Sequence, residues 1–379
     1  MEIMRLPFVL LTLSGCWRPP SWSTSSKRLI YNVYTVVIFC LIHVMTFGQF
    51  MDMVLNVDNT DDFSDNSYLM LGAIGGNCKM WMLLWNRENI AIMANNFKEG
   101  FFLPVNEIEL TLLREFDTTT NTLYYFVLGE LTVWLMMGSA LFSNYPQREL
   151  MYRAWLPYDC YSSNLLFILN YMHQGAVLLC NWLLHAACDS LVMGFLIHTC
   201  CQLELLGSLL QKVHQAPRAN LQVSVRTLYF LGFKCDFLSI LNYRFADRMN
   251  ATFRISILFQ FTASMLIICI NMYQLTKSKG INGMFLQVIF YLVAVLIQIF
   301  IYCWYGNEMK LKSRDVSNYV FQMNWTNFAT DSKSTILTVM QRTVFPIELS
   351  GFYIVTMDLD TFVNILKASY SVYNVLQQV

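Results

Sequence analysis

The chain has 379 residues, of which 56% are hydrophobic, 15% aromatic and only 13% charged, where an average soluble domain carries roughly 25% charged residues. Its 25 basic and 25 acidic side chains cancel, so nothing points to nucleic acid or an acidic substrate as partner. With a mean hydropathy of +0.43, these values set aside a soluble globular domain and predict an all-α polytopic membrane protein.

Met1 to Pro20 is short, is broken by Pro7, Gly15 and Pro19-Pro20, and lacks a cleavage region, so no cleavable signal peptide is expected. Seven spans are expected, each near the roughly 20 residues that cross a bilayer. They are Leu29–Phe50, Tyr68–Trp85 with Lys79 inside it, Thr122–Ser143 with Glu130 inside it, Asn164–Cys201, Ile255–Tyr273, Gly283–Tyr305 and Gly351–Val379. The fourth carries a single formal charge, Asp189, and at about 57 Å long it must project beyond a hydrocarbon core of ~30 Å.

Lysine and arginine number 17 on one side of this arrangement and 4 on the other. That bias puts the N-terminus in the cytoplasm and the C-terminus outside. The sequons at Asn250 and Asn324 then face the cytoplasm and are chance matches. The division expected is a cytoplasmic N-terminus at 1–28, then six helices at 29–305 that form a ligand-binding bundle. The bundle includes a cytoplasmic extension at about 202–254, and anchor helices at 306–350 and a pore-lining helix at 351–379 follow it.

Chemistry-bearing motifs are missing. No P-loop, GxGxxG or HExxH occurs, and the five histidines show no catalytic pairing. The eleven cysteines are scattered, with no CxxC, so no metal or cofactor is expected and no enzyme activity. Lys79 and Glu130 are intramembrane charges, read either as a structural pair or as a ligand or ion site.

The closing helix is the most informative stretch. Asp360, Asn364, Lys367, Ser371, Asn374 and Gln378 recur at steps of 3 and 4, a polar stripe down one face. Phe362, Leu366, Tyr373 and Leu376 are expected to turn toward packed neighbours. Lipid cannot face such a stripe, so it lines a pore or a polar seam inside the bundle.

Three segments carry a resemblance. Tyr302-Cys303-Trp304-Tyr305-Gly306-Asn307-Glu308, the Pro346-centred turn in Val344–Gly351, and Phe362–Leu376 with its Lys367-Ala368-Ser369-Tyr370-Ser371 core occur in order. Together they resemble the C-terminal signature of the insect odorant receptor family. The resemblance implies an odorant-gated, non-selective cation channel in the plasma membrane of an olfactory sensory neuron. Four subunits surround one pore, and a variable odorant-binding subunit assembles with a co-receptor. The short stretch at 202–254 is similar to the variable kind.

The resemblance further implies partners: a small volatile, co-receptor subunits, membrane lipid and permeant cations. It places a pocket in the outer half of the second, third, fourth and sixth helices. Trp134, Met137, Gly138 and Leu141 on the third helix, with Tyr171 and Gln174 on the fourth, offer aromatic, Met and Gly surface with a rare polar group. Tyr68, Leu71, Phe285 and Val288 are further candidates. Tyr319, Trp325 and Phe328 are expected to hold the assembly together. Asn364, Lys367, Ser371 and Asn374 would line the pore, and Val375 and Val379 around Gln378 would gate it. The rival reading, a seven-helix G-protein-coupled chemoreceptor, needs an outside N-terminus, Asp-Arg-Tyr and Asn-Pro-x-x-Tyr motifs, and a disulfide from the third helix. The sequence offers none of these.

Overall fold

Helix accounts for almost all of the computed structural model, which describes residues 4–57, 60–97, 107, 109–120, 145, 148, 150, 151, 153–215, 221–277, 283–322 and 330–378. The helices are α1 (Arg5–Leu13), α2 (Ser25–Leu55), α3 (Thr60–Trp85), α4 (Arg87–Asn96), α5 (109–120), α6 (Asn164–Gln215), α7 (Leu221–Lys277), α8 (Gly283–Gln322), α9 (Thr330–Thr343) and α10 (Leu359–Gln378). Two two-residue strands, β1 (Ser350–Gly351) and β2 (Val355–Thr356), form an antiparallel hairpin between α9 and α10. The third expected span, Thr122–Ser143, lies outside the described residues.

Among the described residues, four helical stretches are long and apolar enough to cross a membrane: Ser25–Leu55, Asn164–Leu210, Asn242–Thr276 and Val288–Gln322. The helices α3 and α10 also occupy expected spans. They carry more polar residues, such as Asp61, Asp62, Asp65 and Lys79 in α3 and Asp360 and Lys367 in α10.

The N-terminal segment, for which the sequence predicts no particular structure, forms a short helix tied to the bundle. Pro7 sits in the first turn of α1, where a missing N–H costs nothing. Gly15, at φ 77°, ends the helix, with Cys16 N donating to Leu11 O at 2.9 Å and Gly15 N to Thr12 O at 3.3 Å. This is a Schellman closure, which needs the left-handed conformation that glycine adopts without strain. Tyr31 Oη then donates to Thr12 O and Trp17 O, Tyr34 Oη to Leu13 O, and Arg87 Nε to Cys16 O at 2.7 Å. These bonds tie α1 to α2 and α4.

The helices α6, α7 and α8 run well past the apolar stretches. The 52 residues of α6 span about 78 Å, and α7 continues where a basic extension was expected. Hydropathy marks only the membrane. The helices continue because their inner ends bury each other. Leu203, Leu206 and Leu210 of α6 are at most 2% exposed. The Tyr319 ring of α8 packs on Gly207, and Lys312 Nζ meets Glu204 Oε2 at 2.6 Å. Tyr319, expected to serve assembly, is thus engaged within its own subunit. The other two assembly candidates, Trp325 and Phe328, lie outside the described residues.

The Pro346 turn and the hairpin lock α10 to the bundle. Ile347 N donates to Ser313 Oγ, and Ser350 N to Asn250 Oδ1. Lys310 reaches Glu348 Oε1 at 2.8 Å, and Asp358 Oδ1 caps α10 by accepting from Thr361 N. The sequon at Asn250 is engaged within the fold, its amide oxygen accepting from Ser350 N and its Thr252 buried. The second sequon lies outside the described residues.

A Cβ on Gly306 would overlap the Met357 carbonyl oxygen, whereas one on Gly207 would meet the edge of the Tyr319 ring. A backbone carbonyl cannot yield as a ring can. Gly306→Ala is expected to cost at least the ~1–3 kcal/mol of core overpacking, seen as a lower thermal midpoint in detergent and less protein at the cell surface. Gly207→Ala should cost less, and the reverse order would refute the account.

Candidate functional site

The centre of the bundle is built by a close approach of α3 to α6. Gly75 and Gly76 carry no side chain where His185 and Asn181 come against the helix. A Cβ on Gly76 would overlap Asn181 Oδ1. One turn further along α3, Lys79 extends into the bundle and meets Asp189. Nζ and Oδ1 are 2.6 Å apart, and the two side chains are 3% and 4% exposed.

Four helices converge on this pair. Tyr302 Oη donates to Asp189 Oδ1 at 2.7 Å, and Gln298 Nε2 donates to Asp189 Oδ2. His185 bridges Lys79 Nζ, 3.0 Å from its Nδ1, and Gly72 O, 3.1 Å from its Nε2. An ammonium only donates and a carbonyl only accepts, so the proton of a neutral imidazole sits on Nε2. Gln260 Nε2 extends the chain to α7, donating to Gln298 Oε1 at 3.1 Å and Ser264 Oγ at 3.2 Å.

Lys79 thus pairs with Asp189; Glu130, its expected partner, lies outside the described residues. The signal was in the sequence: Asp189 is the single formal charge in its span, as Lys79 is in its own, and isolated charges in lipid seek each other. The 110 residues between them hid the pairing.

Directly beside this network lies a cavity with about 60 Å³ of space. Its apolar wall comes from Leu71, Phe259, Ile267, Tyr291 and Val295, and its polar wall from His185, Gln260, Ser264 and Gln298. Of the expected pocket residues, Leu71 lines it. Val288 lies one turn from Tyr291 on α8, and Phe285 one turn beyond. Tyr171 and Gln174 sit elsewhere. Both are buried, but Gln174 is eleven residues before His185, about 16 Å along the helix. Tyr171 belongs to an aromatic cluster with Tyr145, at 5.1 Å between ring centroids, and Phe167, at 5.9 Å. The fifth span, which the sequence did not nominate, supplies five lining residues on α7. Trp134, Met137, Gly138 and Leu141 lie outside the described residues, as does the side chain of Tyr68.

The last helix has two unlike faces. Ile365 and Ser369 are buried, with Ser369 Oγ donating to Met265 O at 3.2 Å, and Phe362 packs on Phe300 at 5.5 Å. Asp360, Asn364, Lys367 and Ser371 are exposed and Asn374 is half-buried. At about 100° per residue the polar stripe points away from the packed face. Leu366, expected on the packed side, sits on the flank at 36% exposure, and Val375 is 61% exposed. Val379 and the side chain of Gln378 lie outside the described residues.

The chain as a whole is similar to known proteins. A family model described as "7tm Odorant receptor" matches residues 59–370. Odorant receptor Or1 of Anopheles gambiae is 22% identical over an alignment covering 98% of this chain and 94% of that protein. The odorant receptor coreceptor of Aedes aegypti is 28% identical over 36% of this chain and 28% of its own length. The solved structure of the insect olfactory receptor OR5 from Machilis hrabei in complex with eugenol is similar in fold, with a TM-score of 0.82 at 15% identity over 99% of this chain and 97% of that one.

Removing one partner of a buried pair leaves an uncompensated charge, a loss of about 3–5 kcal/mol. Lys79→Met and Asp189→Asn should each lower the thermal midpoint in detergent sharply. The double variant should lose clearly less than the two combined, because an amide in place of the Asp189 carboxylate can still accept from Tyr302 and Gln298 with no charge left to bury. Strict additivity would show that the ion pair does not couple the helices.

Proposed function

The chain belongs to the 7tm odorant receptor family, and from that premise we propose that it is a subunit of an odorant-gated, non-selective cation channel. It assembles with co-receptor subunits as a heterotetramer around one central pore, in the plasma membrane of an olfactory sensory neuron. A small volatile opens the channel to cations, and lipid surrounds the bundle. The similarity to a coreceptor over a third of the chain and the eugenol in the OR5 complex support the co-receptor and the volatile. Membership in this family disfavours the G-protein-coupled alternative.

The observation that carries the reading is the polar face of α10. Its own subunit packs against Phe362, Ile365 and Ser369 and leaves Asn364, Lys367 and Ser371 uncovered. On a membrane helix such a face requires water or a second subunit. A ring of four such helices supplies both. Val375, Gln378 and Val379 would stand at the outer end, where apolar side chains close a pore by dewetting.

The ligand sits in the cavity between α3, α6, α7 and α8; Trp134, Met137, Gly138 and Leu141, outside the described residues, remain proposed ligand contacts on the strength of the family resemblance. Two helices connect it to the pore. Ile267 lines the cavity and lies two residues from Met265, which accepts the hydrogen bond from Ser369 of α10. Likewise Gln298 lies two residues from Phe300, which packs on Phe362.

Channels co-expressed with a co-receptor test both halves. Ser371→Cys should lose half or more of the odorant-evoked current on exposure to a charged, membrane-impermeant thiosulfonate, while Ser369→Cys, on the packed face, should lose none. Gln378→Arg should reduce cation permeation by placing a charge at the constriction. Equal modification of both cysteines, with Gln378→Arg silent, would remove α10 from the pore. Filling the cavity with Ala263→Phe should raise the half-maximal odorant concentration at least tenfold. The response to a co-receptor agonist should be unchanged.

A further inference from the structure

The cavity wall has hydrogen-bonding capacity left over. Ser264 is 1% exposed and its Oγ accepts from Gln260 Nε2, yet its own hydroxyl proton has no acceptor among the described residues. The amide of Gln260 donates twice, to Ser264 and Gln298, while no donor among the described residues reaches its Oε1. The cavity therefore presents one spare donor and one spare acceptor, four residues apart on the same face of α7. Asn271, seven residues beyond Ser264 on that face, is fully buried, and neither its amide nitrogen nor its oxygen has a partner among the described residues.

The charges next to the cavity are, by contrast, spent. The carboxylate of Asp189 accepts from Lys79, Tyr302 and Gln298, and His185 is engaged at both nitrogens. The Lys79 ammonium is divided between Asp189 and His185. Neither sign of charge is available to a guest, and burying an unpaired ammonium or carboxylate there is strongly unfavourable.

We propose that the ligand of this cavity is a compact, neutral, oxygenated volatile (an alcohol, phenol, aldehyde or ketone) whose oxygen accepts from the Ser264 hydroxyl of α7, the hydroxyl of an alcohol or phenol also donating to Gln260 Oε1. This rests on the reading above that the cavity is the ligand site. The carbon skeleton lies against Leu71, Phe259, Ile267, Tyr291 and Val295, which line the remainder. A space of about 60 Å³ is roughly four times what one water needs, which favours a ring or a short branched chain over a long one. A hydrocarbon of the same shape would leave the buried hydroxyl and amide unsatisfied. Sites that hydrogen-bond a ligand discriminate by that penalty.

The test uses the full-length receptor with its co-receptor, current as readout, and four ring compounds of similar size: cyclohexanol, cyclohexanone, methylcyclohexane and cyclohexylamine. The two oxygenates should activate at concentrations at least tenfold below the hydrocarbon, and the amine should not activate. Ser264→Ala, which removes one atom and leaves the ion-pair network alone, should bring the oxygenates to within about threefold of methylcyclohexane, and Gln260→Leu should weaken cyclohexanol more than cyclohexanone. An undiminished preference in Ser264→Ala overturns the proposal. So does a parent receptor that favours the hydrocarbon or the amine. Silence toward both oxygenates, in channels that reach the surface and answer a co-receptor agonist, overturns it equally. Ala263→Phe separates the two claims. If every response survives the filled cavity, the ligand site itself is misplaced; if filling abolishes responses and Ser264→Ala changes no ratio, only the oxygen preference fails.

Discussion

A lysine and an aspartate placed in an apolar bundle cannot remain apart. Each alone would cost several kcal/mol to desolvate, and their attraction offsets that only at contact distance with the remaining lone pairs and protons satisfied. The Lys79–Asp189 pair meets both conditions, at 2.6 Å with Tyr302, Gln298 and His185 around it. Meeting them dictates the packing. Lys79 reaches Asp189 because Gly75 and Gly76 bring α3 onto α6. Asp189 is saturated because Gln298 and Tyr302 bring α8 alongside, and Gln298 is oriented by Gln260, which brings in α7. The relative positions of four helices thus follow from satisfying one carboxylate and one ammonium.

The cavity is a by-product of that arrangement. Glycines and polar side chains fill the centre less completely than Leu and Phe would, and the helices, held by hydrogen bonds, do not collapse onto the space. The same constraint gives the cavity a polar side and an apolar side. It also puts the cavity within two residues of the contacts that α7 and α8 make with α10, at Met265 and Phe300. The helices α7 and α8 thus both line the cavity and support α10.

At its inner end α10 has little freedom. Asp358 caps it, Gly306 receives Met357, and Gly351 lies against Leu258 of α7. Farther along, Ser369 Oγ donates to Met265 O while Tyr370, Val372 and Val375 are exposed.

The sequence by itself determined the membrane class, the helical architecture and the two faces of α10, because these depend on composition and on a period of 3.6, and both are local. The motif around Gly306 was legible only through the family resemblance, and it proved to mark a close backbone approach. The lone charges at Lys79 and Asp189 were visible too, each requiring a partner. Only the tertiary structure decided which partner, since pairing across 110 residues is a property of helix arrangement. It also decided that α7 walls the cavity, that Tyr171 belongs to an aromatic cluster away from it, and that Tyr319 packs on Gly207 of its own chain. Periodicity tells which residues share a face. What that face meets is settled by where the buried charges pull the helices together.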